Sequence, residues 1–114
     1  MMTTTTAFDK QIPLFIRNLE VALRSGQSVK QAFETIANDM PSPAGDEAQW
    51  VIDEWNDGKK FMQIFENWLI RTPSRDLDLV IAAMRVQLEV EGNLADTLQI
   101  LAQIMEKRSL TTSS

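Results

Sequence analysis

The chain contains no cysteine, no histidine and no tyrosine. Without cysteine there is no disulfide, no thiolate zinc site and no cysteine nucleophile. Without histidine the commonest general base and the commonest transition-metal ligand are missing. The Glu-x-x-His di-iron bundle, otherwise suggested by an acidic helical protein, is thereby excluded. The sequence has no phosphate loop of the Gly-x-x-x-x-Gly-Lys-Ser/Thr kind and no Asp-x-Asp-x-Asp-Gly calcium loop. It also lacks a signal-peptide pattern and any apolar run near 18 residues. Basic residues are outnumbered, 11 Lys and Arg against 16 Asp and Glu, for a net charge of −5. Nucleic-acid binders carry a basic face that displaces counterions from phosphate. Here the cations are scattered, so neither a nucleic-acid partner nor a cofactor is expected.

What remains is a helical scaffold. The 114 residues, 44% of them apolar, make one domain that buries roughly two-thirds of its unfolded surface. Three passages each end one helix, turn, and start an apolar stripe in the same phase: Arg24-Ser25-Gly26-Gln27-Ser28-Val29, Asn56-Asp57-Gly58-Lys59-Lys60-Phe61 and Val90-Glu91-Gly92-Asn93-Leu94. With Val29, Phe61 and Leu94 set as equivalent, the starts lie 32 and 33 residues apart. The stripes then align as Phe33, Ile36, Ala37; Phe65, Trp68, Leu69; and Leu98, Leu101, Ala102. Phe33, Phe65, Leu98, Trp68 and Leu101 are the expected core. Gly26, Gly58 and Gly92 are the expected helix stops, with Asn93 capping the last helix. The one-per-turn placing of these glycines favours caps over phosphate binding.

The period of apolar residues gives six helices. The first runs from about Phe8 to Ser25 on Ile12, Phe15, Ile16, Leu19, Ala22 and Leu23, with Pro13 in its early turns. Ser28 caps the second, and Pro41-Ser42-Pro43 breaks it. The third carries Ala44, Ala48, Val51, Ile52 and Trp55, with Asp46 and Glu47 set against its N-terminal dipole. The fourth carries Phe61, Ile64, Phe65, Trp68 and Leu69. Ser74 caps the fifth, which is apolar on two sides and therefore expected to be central. Strand patterning is absent. Short loops join neighbouring helices antiparallel, so the expected fold is all-α: a compact bundle of six antiparallel helices built as three hairpins. Residues 1–7 and 111–114 are expected to be tails and residues 8–110 the domain.

The residues at these turns resemble one family, the type II secretion system F domain. The resemblance rests on Leu23 to Ser28 with Gln31-Ala32-Phe33, on Pro41, on Gly58, and on Arg71 followed by Asp76-Leu77. It is sharpest at Gly92-Asn93-Leu94-Ala95 with Leu98, Leu101, Ala102 and Arg108. It covers about Ile12 to Arg108, and its spacing is more similar to the Tad/Flp pilus branch than to the main secretion branch. Glu91 stands where the family usually has a first glycine, and Trp68-Leu69 is bulkier than usual. The resemblance implies a non-enzymatic cytoplasmic domain of an inner-membrane platform protein. Its partners would be an assembly ATPase, other platform proteins and further copies of itself. Membrane attachment would come through flanking segments absent from this chain. A soluble helical-repeat adaptor without membrane attachment is the alternative from another class.

Three residues are candidate partner contacts. Trp50 lies roughly 160° from the stripe of its helix at 100° per residue. It either packs on a neighbouring helix or anchors a partner. Leu14 and Val21 lie off the main stripe of the first helix, one heptad apart and close to Arg17 and Arg24. They form either a second ridge for association or a contact to a second neighbouring helix. Asp53, Glu54 and Asp57 read as a solvated acidic face or, alternatively, a cation site.

Overall fold

A computed structural model describes residues 4–90 and 93–112. Six α-helices are present and no strand occurs among the described residues: α1 Thr4–Arg24, α2 Val29–Asp39, α3 Ala44–Asn56, α4 Phe61–Arg71, α5 Arg75–Val90 and α6 Leu94–Thr112. Their ends follow from local chemistry. Ser28 accepts the Gln31 N–H while the Gln31 side chain accepts the Ser28 N–H, a complete capping box for α2. Ser74 Oγ accepts the Leu77 N–H at 3.1 Å, and Asn93 Oδ1 accepts the Asp96 N–H at 3.2 Å. These two side chains cap α5 and α6.

The first two repeated turns have the same hydrogen bonding. After α1, Gly26 N–H donates to Leu23 O and Gln27 N–H to Ala22 O; after α3, Gly58 N–H donates to Trp55 O and Lys59 N–H to Glu54 O. Both are Schellman motifs, with the glycine left-handed at φ 98° and 89°. Gly92, expected to make the third, lies outside the described residues. Since a Cβ on Gly58 would meet nothing within 4 Å, substitution there tests backbone strain alone. Gly58→Val should lower stability by at least about 1 kcal/mol in a thermal or denaturant melt. An unchanged midpoint would contradict the turn.

Cross-bundle ties fix the stacking of the ends. Gln11 of α1 reaches the α2–α3 turn, where Oε1 accepts the Ala44 N–H at 2.8 Å and Nε2 donates to Pro41 O at 3.2 Å. The same turn is tight because a Cβ on Gly45 would lie 2.3 Å from Met40 O. Only glycine permits that approach. Asp9 of α1 accepts a hydrogen bond from Ser74, and Arg108 donates to Asp76 at 2.5 Å.

Phe33, Phe65, Trp68 and Leu98 are completely buried. The largest side chains form one cluster, in which Phe8, Phe15 and Phe33 each place a ring centroid about 6 Å from that of Trp68. Three details differ from the expectation. First, α1 starts at Thr4 rather than Phe8, and α6 runs to Thr112, so helix takes in part of both expected tails. Phe8 is fully buried against Phe15 and Trp68, and a side chain held at that depth needs a formed turn around it. Second, Leu101 is only partly buried. The buried stripe of α6 runs through Ala95, Leu98, Ala102 and Met105, which leaves Leu101 at its edge. Third, the central helix is α1, not α5. Helix α1 touches α2, α3, α5 and α6, whereas the second apolar side of α5 is open, with Leu79 44% and Val86 55% exposed. Apolar residues on two faces permit burial on both, but do not compel it.

Candidate partner-contact surfaces

Glu47 has the sequence position of a helix-dipole partner, yet it is 3% exposed. It follows Ala44 by three residues and precedes Val51 by four, so it shares the buried face of α3. Its Oε1 accepts hydrogen bonds from Trp68 Nε1 at 2.9 Å, Arg71 Nη1 at 3.0 Å and Thr72 Oγ1 at 3.1 Å; its Oε2 accepts from Arg71 Nη2 at 3.1 Å. The carboxylate therefore satisfies two buried donors and a bidentate guanidinium. Arg71 closes the network from the solvent side and lies over the Trp50 ring at 4.4 Å, a cation–π contact. Trp50 is partly buried and packs against the core. The fold thus gives Trp50 an internal partner, and leaves part of its ring at the surface between α3 and α4.

Leu14 and Val21 lie elsewhere, on the outward face of α1, and are 57% and 65% exposed. The arginines beside them are engaged with α6. Arg17 donates to both carboxylate oxygens of Glu106 at 3.0 and 2.8 Å, and to Glu20 at 3.1 Å. Arg24 donates to Glu20 at 2.9 Å, Asp96 at 2.9 Å and Gln99 at 3.1 Å. The Arg17 hydrogen bonds hold the Glu106 carboxyl below its ordinary value of 4.5. A depressed carboxyl contributes to folding above that value and loses the contribution as pH falls through the lowered one. On the far side of this seam, α6 exposes Ile100 and Ile104, at 57% and 54%. Sequence reasoning misses these two, although their spacing of four residues puts them on one helical face. The result is two apolar ridges flanking a seam of ion pairs.

A groove of about 300 Å³ runs between α1 and α2 on the other side of Val21. Its floor includes Ala22 and Ile36, and Asp39 is the one charged residue in its lining. Among the described residues no group of three or more acidic side chains is placed to hold a metal ion. Within the acidic stretch of α3, Asp53 accepts from Gln49 and Glu54 pairs with Lys59. No described helix is long and apolar enough to cross a membrane.

Comparison with known families adds one finding. A family model described as type II secretion system (T2SS), protein F, matches residues 15–114. No curated protein and no solved structure gives a match.

Proposed function

Because the chain belongs to the protein F family of type II secretion systems, whose members are platform proteins of secretion and pilus systems, we propose that it is a cytoplasmic adaptor domain. In this reading it couples an assembly ATPase to pilin or pseudopilin assembly at the inner membrane, in a system of the Tad/Flp kind. The observation that carries the reading is the family match across residues 15–114. The structure is compatible with it in two respects. Ion pairs join α1 and α6, and α1 packs against four other helices, so the fold holds its outer faces in one arrangement. It also presents large apolar side chains outside its core. The proposed contacts are Leu14, Val21 and the exposed part of Trp50.

The test is titration of the purified chain against the cognate assembly ATPase and the other platform components. Joint replacement Leu14→Ser and Val21→Ser should weaken binding by about 2 kcal/mol and leave the melting midpoint unchanged, since both side chains are largely exposed. Trp50→Ala should lower binding and also stability, because it removes the ring beneath Arg71. ATP turnover by the chain, or absence of contact with every platform component, would refute the reading.

A further inference from the structure

We propose that the outer face of the α5–α6 hairpin is a dimer interface, occupied by the same face of a second copy of this chain. Four large aliphatic side chains stand on it: Leu79 and Val86 from α5, and Ile100 and Ile104 from α6, at 44%, 55%, 57% and 54% exposure. Two ties fix how the helices run. Arg108 donates to Asp76 at 2.5 Å and Gln87 donates to Thr97 at 3.3 Å, so α5 and α6 lie antiparallel. In that register Leu79 comes close to the level of Ile104, and Val86 to that of Ile100. Asp76, Leu79, Ala83 and Val86 recur at i, i+3, i+7 and i+10; Thr97, Ile100, Ile104 and Arg108 recur at i, i+3, i+7 and i+11. Each set is one helical stripe. The four aliphatic side chains therefore flank one seam on its solvent side and form a single apolar patch.

The patch is its own complement. A second copy laid face to face, with its α6 antiparallel, sets Ile100 against Ile104 of the other copy and, by the two-fold, Ile104 against Ile100. About the same centre Asp96 meets Lys107 of the other copy, because Asp96 stands four residues before Ile100 and Lys107 three after Ile104. Lys107 is exposed, and the Asp96 side chain is 59% exposed even while it pairs with Arg24. On α5 the same axis sets Leu79 against Val86, with Ala82 and Ala83 at the crossing, where small side chains let helices approach. Parallel packing of α6 on α6 would bring Asp96 to Asp96 and Lys107 to Lys107, which like charges oppose. Helix α5 has 16 residues, about 24 Å, and two helices side by side span about 20 Å. The face thus buries roughly 500 Å² per copy and about 1,000 Å² in all, the size of a weak specific contact. This dimer goes beyond the adaptor reading and does not depend on it.

The experiment is sedimentation equilibrium of the whole chain. A dissociation constant on the order of 10–100 μM suits the area, so the mass should rise with concentration from 12.9 kDa toward twice that value. Joint replacement Ile100→Ser and Ile104→Ser should weaken the dimer at least about tenfold, since the two-fold uses each side chain twice. Both residues are more than half exposed, so the melting midpoint should stay near the parent's. Leu14→Ser with Val21→Ser, equally exposed but on α1, should change the dimer less than about twofold. Asp96→Lys alone and Lys107→Asp alone should each weaken it about fivefold by setting like charges together. The double exchange Asp96→Lys with Lys107→Asp should restore the parent's affinity.

A chain that stays monomeric at about ten times the expected constant would overturn the proposal. So would an unchanged dimer with Ile100→Ser and Ile104→Ser, an equal loss with Leu14→Ser and Val21→Ser, or a double exchange that does not restore affinity. If the chain stays monomeric while Ile100→Ser with Ile104→Ser weakens binding of the assembly ATPase, the face belongs to that partner; the adaptor reading then stands and the dimer falls.

Discussion

Glu47→Ala should lower the stability of the bundle by roughly 2–5 kcal/mol, about 1–3 kcal/mol for each of two buried donors left unsatisfied, while Arg71, 42% exposed, regains water. The loss arises on the donor side. Trp68 Nε1 and Thr72 Oγ1 both donate to this carboxylate, and both residues are buried, at 0% and 3% exposure. Without the acceptor, each donor pays a desolvation cost that water cannot offset. Arg71 also loses its bidentate anchor, and with it the position over Trp50. A melting midpoint roughly 10 °C or more below the parent is expected. Glu47→Gln should fall between the two, because its amide oxygen still accepts from Trp68 while its NH₂ faces the Arg71 donors. A variant Glu47→Ala that melts with the parent would show that the network is not part of the folded state.

The second large effect is expected for Phe65→Ala. Phe65 is fully buried and its ring lies 5.5 Å from that of Phe61. Truncation removes aromatic contact and leaves a cavity, at a cost of roughly 3–5 kcal/mol by chemical denaturation. Phe33→Ala, at the equivalent place in the first hairpin and also fully buried, should cost a similar amount. A loss below about 1 kcal/mol at Phe65 would undo the equivalence of the two hairpins.

That equivalence is legible in the sequence because its causes are local. A left-handed glycine is required wherever a Schellman turn closes a helix, so Gly26 and Gly58 mark two turns from sequence alone. Ser28 with Gln31 marks a capping box in the same way. The phase of Phe33, Phe65 and Leu98 follows from helical period, and their burial needs only that each stripe face inward. The absence of histidine and cysteine narrows the chemistry equally directly.

The candidate surfaces are less legible. Leu14 and Val21 stand out as off-stripe residues, but whether another helix covers them depends on the order in which six helices pack. The structure leaves them open, at 57% and 65% exposure, although α1 touches four other helices. Trp50 stands out for the same reason, and there the outcome differs, since Arg71 from the next helix lies over its ring.

The sequence by itself determined the number of helices, most of their boundaries and the inward face of every helix but α5. These features arise from interactions between residues a few positions apart. Only the tertiary structure decided that α1 is the hub, that Glu47 is buried and that Asp39 borders a groove. Each of those facts depends on which side chains arrive from distant elements: Trp68, Arg71 and Thr72 stand 21 to 25 residues from Glu47. A carboxylate near a helix N-terminus has the same local signature whether it faces water or the two buried donors and the guanidinium that Glu47 meets, and the approach of α4 selects between them.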